Sequence, residues 1–262
     1  MKTIQTPSKK KLSEYLATDK DAIKYTRHCS ISAIFLLIGY LLFIAEVISP
    51  LVLFVVVAVT LPRWVINFHE ILHIRNHKQV NGVIRCLAAS PIPLSLLTLS
   101  YPESREIHLN HHRFATEASD PDAYHIRGNF FLVCLNALTS PEQSFIRFVI
   151  AKGFNFQLGI DLFIKLIILM VLAWFGKEKF IWFWLSLRIV YCLGDIVFFR
   201  FVHYQEGKYG TFQLYLPDML IKLGELIFGK TVIQATINHD IHHQNPGIAV
   251  GYLATIPRNE IS

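Results

Sequence analysis

Four long apolar stretches set the limits on what this chain can become. They cover residues 31–48, 51–68, 158–175 and 180–202. Each is close to the roughly 20 residues that a helix needs to cross a hydrocarbon layer about 30 Å thick. Packed as core helices, they would overfill the interior of any one soluble domain of 262 residues. They explain why 53% of the chain is apolar and only 17% charged, against about 25% charge in ordinary soluble domains. Disordered and collagen-like chains are excluded by the same composition. The four cysteines, Cys29, Cys86, Cys134 and Cys192, are far apart and form no CxxC pair. A disulfide framework and a thiolate zinc site are therefore not expected.

The stretches fall into two pairs. Ser49 and Pro50 join the first pair, and residues 176–179 join the second. Connections this short predict two helical hairpins, hence an all-α integral membrane protein with four transmembrane helices. Little chain is left for a second domain, so residues 1–262 read as a single membrane domain with a helical cap. The basic residues Lys2, Lys9, Lys10, Lys11, Lys20, Lys24 and Arg27, the stretch 68–156 and the tail after 203 all fall on one side of the hairpins. Only Lys177 and Lys179 fall opposite. The positive-inside rule makes the basic side cytoplasmic, with both termini there. The net charge of +6 then belongs to one face, suited to anionic headgroups or an acidic partner rather than to nucleic acid.

The polar N-terminus predicts no cleavable signal peptide. Residues 12–25 read as an interfacial helix with Ser13 as N-cap. Residues 82–100 are apolar but broken by Pro91 and Pro93, and are expected to lie in the interface or re-enter the membrane. Residues 141–152 and 217–228 read as amphipathic surface helices. Asp161 and Lys165 are spaced to pair along one helix face. Arg188 and Asp195 are the unusual intramembrane charges, placed to snorkel or to line a polar cavity.

The chain also carries 12 histidines, and most are clustered. His69 and His73 form an HxxxH. His108, His111 and His112 form an HxxHH, and His239, His242 and His243 form another. Residues three or four apart share a helix face, so each cluster aims its imidazoles to one side. Neighbours on a helix point about 100° apart, so His111-His112 and His242-His243 can each serve two metals. Eight imidazoles exceed what one six-coordinate ion accepts. An all-nitrogen set suits iron better than a structural zinc. All three clusters lie on the expected cytoplasmic side.

The order HxxxH, HxxHH, HxxHH between paired apolar hairpins resembles the membrane fatty acid desaturase and hydroxylase superfamily. Arg113 after the second box, the trailing Asp120-Pro121-Asp122, and Tyr101 and Arg105 upstream resemble it too. So does Pro246 after the third box. The likeness runs over 67–122 and 203–257. It implies a non-haem di-iron centre, O2 as co-substrate, an external electron donor such as a ferredoxin, and oxidation of an unactivated C–H bond on a lipid. It also implies an additional ligand from the region of His203, giving a metal set of His69, His73, His108, His111, His112, His203, His239, His242 and His243. Supporting carboxylates are expected at Asp120, Asp122 and Glu70, since a ligating histidine passes its other N–H to such a group. Asn238 is a further candidate through water. Of the three remaining histidines, His77 continues the face of the first box, His28 reads as interfacial and His125 as loop.

Departures from the superfamily pattern bear on the substrate. Ile74-Arg75 follows the first box where many members have glycine. No His-Pro-Gly-Gly cytochrome b5 segment is present, and the third box opens with His239, unlike front-end desaturases that have glutamine there. The expected reaction is fatty acid desaturation. Carotenoid or other isoprenoid hydroxylation or ketolation is the alternative. Two other classes stay open: a non-catalytic membrane protein binding metal or lipid, and a zinc hydrolase using His69-Glu70-Ile71-Leu72-His73 as an HExxH. The last leaves six box histidines without a purpose.

Overall fold

The structure, a computed structural model, describes residues 12–74 and 80–256; His77 and Arg75 lie outside them. It is mostly helical with almost no sheet. A single 3-10 turn, Leu12–Glu14, leads into α1 (Asp19–Ile44). The expected interfacial helix over 12–25 is thus not formed as such. Thr18, not Ser13, caps the start of α1: its backbone N–H and its hydroxyl both donate to Asp21, at 2.9 and 2.8 Å. α1 stops at Ile44, before the sequence-based boundary of 48, because Glu46 adopts a left-handed conformation with φ 61°.

α2 (Pro50–Leu72) begins at the Ser49 cap, with Pro50 in the first turn, where its missing N–H costs nothing. α1 and α2 pack along much of their length through Leu36, Tyr40, Phe43, Leu53, Val57 and Leu61. α3 (Gly82–Leu87) follows, then an irregular run to Ser100 that dips between helices. Ile92 and Leu94 from this run join the same core cluster. The backbone there is satisfied by indoles: Trp64 donates to the Ala88 carbonyl at 2.6 Å and Trp184 to the Leu94 carbonyl at 2.8 Å. Irregular backbone is tolerated in apolar surroundings only when buried in protein and partnered in this way.

The chain continues through α4 (Tyr101–Phe114), α5 (Ala123–Ile126), α6 (Phe130–Leu138), α7 (Ser140–Lys152), α8 (Phe156–Gly176) and α9 (Glu178–Asp195). α9 runs on into a π-helix, Ile196–Phe201. Among the described residues, α1, α2, α8 and the continuous α9–π helix are the four helices long and apolar enough to cross a membrane. Lys179 on α9 donates to Glu46 at 2.7 Å and to the Ile44 carbonyl at 3.0 Å, so the two short connections lie side by side. Asp161 and Lys165 make no ion pair among the described residues. The buried Lys165 ammonium turns to the Thr98 carbonyl at 2.6 Å and Ser100 Oγ at 3.2 Å, and Gln157 donates to Asp161.

α6 was not foreseen, and α7 is not a simple surface helix. The α6–α7 junction is held against α9: Arg188 pairs with Glu142 at 3.0 Å and also donates to the Leu138 carbonyl, while Ser140 donates to Asp195 at 3.0 Å. The two odd charges of α9 therefore hold this junction.

Beyond His203, a two-stranded turn pairs β1 (Tyr204–Gln205) with β2 (Lys208–Tyr209). Glu206 and Gly207 both have positive φ, as a tight hairpin turn of this hand requires. α10 (Asp218–Phe228) exposes Met219, Leu223 and Leu226 along one side. α11 (Lys230–Ile237), α12 (His239–Gln244) and α13 (Val250–Leu253) fold back on the ends of α2 and the π-helix. Ile66, Phe198, Val232, Ile241 and Leu253 form the core there.

Gly176, which ends α8, has a specific steric reason. A Cβ at this position would lie 1.8 Å from the hydroxyl oxygen of Tyr40. Tyr40 is buried, stacks on Phe183 at 4.4 Å and donates to the Leu172 carbonyl at 2.6 Å. It has no room to yield. Gly176→Ala is expected to lower stability by about 1–3 kcal/mol, the usual cost of overpacking. Adding Tyr40→Phe, which removes the clashing atom, should recover part of the loss in thermal unfolding of the detergent-solubilised protein.

Candidate metal centre

The three boxes come from α2, α4 and α12, with His73 as the C-cap of α2. His203 lies just past the π-helix. That wider helical turn changes the register of the last residues of the helix, and such insertions often mark functional positions. Nothing in the apolar sequence of 196–201 signals it.

All nine expected histidines converge. Ring nitrogens of His69, His73, His108, His112 and His242 lie within 4.8 Å of one another. A second group brings together His111, His203 and His243 under the same limit, and His239 Nε2 joins it at 3.1 Å from His243 Nε2. The adjacent pairs divide between the groups. His112 and His242 face one, while His111 and His243 face the other, as the 100° step between helix neighbours requires.

The hydrogen bonds decide which nitrogen faces inward. His111 Nδ1 donates to Asp120 at 2.9 Å and His203 Nδ1 to the Gly210 carbonyl at 3.1 Å, and His69 Nδ1 is hydrogen-bonded to Glu70 at 2.9 Å. The Asp120 carboxylate and the Gly210 carbonyl only accept, which fixes the N–H of His111 and His203 on Nδ1 and leaves their Nε2 as bare lone pairs. Nevertheless His111 Nε2 and His203 Nε2 stand 3.3 Å apart. In the other group His73 Nε2 lies 2.8 Å from His108 Nε2 and 3.1 Å from His242 Nε2. His69 Nε2 is buried with no protein partner. Lone pairs do not converge in a dry interior without a cation between them. Two nitrogens bound at right angles to one ion, each at about 2.1 Å, are themselves about 3 Å apart. The donor set therefore fits two metal ions.

Electrostatics agree. Burial, followed by the charge of neighbouring imidazoles, holds His73, His108, His112, His239, His242 and His243 well below the usual histidine range. His203 is lowered to about 3 by burial and then by His111. These seven rings are neutral at physiological pH, which is the metal-binding form.

The supporting groups fall unevenly. Asp120 accepts from His111 and from the backbone N–H groups of Thr116 and Asp122, at 2.9 and 2.8 Å. Burial alone would raise its pKa, but the His111 contact and these N–H groups outweigh that and hold the carboxyl below its ordinary range. Glu70 is bonded to His69 at 2.9 Å. Asn238 donates to the carbonyl and side-chain oxygen of Gln234, at 3.1 and 3.0 Å. Asp122 touches no box histidine with a hydrogen bond. It faces His125 Nε2 at 3.9 Å.

His125 is the residue the sequence reading missed. It lies on α5, is buried, and donates from Nδ1 to Asp195 at 2.8 Å. Burial would lower its pKa, but Asp195, with Asp122 behind it, outweighs that and raises it. Asp195 was visible as an intramembrane charge. Its partner was not, because 70 residues separate them.

A cavity of about 150 Å³ adjoins the first histidine group, with His69 and His108 in its wall. Phe68, Leu72, Leu87, Leu94 and Leu99 give it an apolar lining. The broken stretch 82–100 thus contributes to it.

The fatty acid desaturase family model matches residues 46–216, about two thirds of the chain. The chain belongs to the fatty acid desaturase family. The match includes the first two boxes and His203 but stops before the third box, which the fold brings to the same centre. No curated protein and no solved structure matches the chain. Within this family member, Asp120 is the clearest support of a box histidine. Asp120→Asn should weaken metal binding about 10–100-fold, the usual cost of losing such a partner, measured as metal per protein after dialysis against a chelator.

Proposed function

We propose that this chain is a membrane-bound, O2-dependent oxidase that desaturates a lipid acyl chain at a non-haem di-iron centre. The convergence of nine imidazoles in two buried groups, with the bare Nε2 atoms of His111 and His203 facing each other, in a desaturase-family chain, carries the reading. His69, His73, His108, His112 and His242 would hold one iron, and His111, His203, His239 and His243 the other. Two irons bound there would supply, with O2 and electrons from an external donor, the oxidising power that an unactivated C–H bond demands.

The chain's own residues do the rest. Asp120 and the Gly210 carbonyl hold two imidazoles in one tautomer and orientation, and Glu70 orients a third. Phe68, Leu72, Leu94 and Leu99 keep water from the cavity and lay an apolar chain beside His69 and His108. The four long helices act as two hairpins of a single membrane domain, with the histidine-bearing cap and both termini on the cytoplasmic side. The basic charge of that side suits an acidic donor of the ferredoxin type.

Mass spectrometry of total lipids and pigments, with and without the expressed chain, tests the reaction. New unsaturated acyl chains support it. Polar carotenoids in their place would move the reading to a hydroxylase or ketolase. Purified protein without iron, consuming no O2 with donor and lipid extract, would make it a non-catalytic binding protein.

A further inference from the structure

The cavity beside the first histidine group is not apolar throughout. Asp122, His125, Ser140, Tyr191 and Asp195 share its wall, and hydrogen bonds tie several of them together. His125 Nδ1 donates to one oxygen of Asp195 and Ser140 Oγ to the other, at 2.8 and 3.0 Å. Both Asp195 oxygens are thereby occupied. The Asp122 carboxylate is different. Its side chain makes no hydrogen bond among the described residues, although the residue is only 5% exposed. Its nearest ionic neighbour is His125 Nε2, on a ring likewise 3% exposed. The 3.9 Å between them is too long for a direct hydrogen bond. The two atoms are too far apart to bond each other, yet one oxygen set beside them can reach both, in the wall of the cavity. A ligand that leaves either atom without a partner loses affinity, so the pair selects what enters.

Resting on the proposed oxidase reading and deepening it, we propose that Asp122 and His125 form a hydroxyl-recognition site. The substrate class is then a long apolar chain bearing an alcohol group. Asp195 on one side and Asp122 on the other favour the doubly protonated ring, so a hydroxyl lying beside both atoms accepts from the imidazolium Nε2–H and donates to the Asp122 carboxylate. A carboxylate headgroup is refused, because Asp122 and Asp195 already bring two negative groups to this wall. A plain hydrocarbon leaves both atoms unpaired. His69 and His108 line the same cavity, so a chain anchored by its hydroxyl presents carbon atoms to the metal group at a fixed spacing. Asp122 and His125 are positioning residues in this scheme, acting on the substrate rather than on the irons.

The test is competitive binding to the purified, iron-loaded protein in nanodiscs, with partitioning into empty nanodiscs subtracted. The probes are hexadecan-1-ol, hexadecane and hexadecanoate. The wild type should bind the alcohol about tenfold more tightly than either other probe, as one well-placed hydrogen bond to a charged group supplies. Asp122→Leu should bring the ratio of alcohol to hydrocarbon near one while keeping hydrocarbon affinity. His125→Gln, closer in shape, should reduce the ratio without abolishing cavity binding. Equal affinities in the wild type, a measurement that needs no variant, would mean that only water fills the gap and would overturn the proposal. So would a preference that survives both substitutions. Iron per protein is read on the same samples. A protein without iron that still prefers the alcohol defeats the oxidase reading alone, and an iron-loaded one with no preference defeats the hydroxyl site alone.

Discussion

His242→Ala should leave the protein in the membrane and remove its chemistry. His242 sits on α12, far in sequence from His73, yet the two Nε2 atoms are 3.1 Å apart. Its ring is buried and neutral, and its loss opens the five-nitrogen group at the one ligand that ties the third box to the first. Losing a support behind a ligand already costs about 10–100-fold in metal affinity or activity, so losing the ligand itself should exceed a hundredfold. Iron per protein, measured by elemental analysis, should fall by at least one equivalent, and product should fall with it. Membrane extraction and helical circular dichroism should stay at wild-type values, because the four long helices do not depend on this residue for their packing. His28→Ala, on α1 and outside both groups, should retain iron and turnover. Full iron and full turnover in His242→Ala would end the assignment of that group as a metal site.

Much of this clustering was legible in the sequence because residues three or four apart on a helix share a face, and the boxes repeat that short spacing. HxxHH on a helix places its imidazoles by geometry alone, and the residues His111-His112 and His242-His243 separate between the groups as that geometry demands. The long helices were legible for a similar reason: apolar runs of their length have few soluble alternatives. Their ends were not. Thr18 and Asp21 cap α1 well before the apolar stretch begins, and Glu46 closes it early. Apolarity reports where a helix meets lipid, not where its hydrogen bonds start.

What stayed hidden depended on contacts between distant residues. His125 looked like a loop histidine because its partner Asp195 lies on another helix. Asp122 read as support for a ligand, on the strength of its motif; its carboxylate lies within 4.8 Å of a His111 ring nitrogen and also faces His125. Asp161 and Lys165 have ideal spacing for a pair, yet Lys165 finds the Thr98 carbonyl and Ser100 hydroxyl within reach. A buried ammonium takes whichever acceptors are best placed, and local spacing cannot rank acceptors that the tertiary fold brings in. The π-helix before His203 is of the same kind, a backbone feature set by packing rather than by composition.

The charge pair that fixes the α6–α7 junction gives the largest expected effect on stability. Arg188 lies in the middle of α9, between Phe183 and Asp195, in a helix long and apolar enough to cross a membrane. Its guanidinium holds Glu142 through two bonds, at 3.0 and 3.1 Å, and takes the Leu138 carbonyl as well. Arg188→Leu would leave a carboxylate and a helix-end carbonyl without a donor in apolar surroundings. Removing one partner of a buried pair costs about 3–5 kcal/mol. With the Glu142 side chain 26% exposed, the lower end applies, about 3 kcal/mol. For a chain of this size that lowers the apparent Tm by roughly 6–12 °C. The double variant Arg188→Leu with Glu142→Leu removes both charges together. It should recover most of the loss, since a well-packed apolar replacement for a buried pair is often neutral. Recovery would show that the pair acts by mutual satisfaction at the junction. A double variant no more stable than Arg188→Leu would instead place the cost in the unpartnered Leu138 carbonyl and in lost packing of the arginine stem against Trp184, whose ring lies 5.6 Å from the guanidinium.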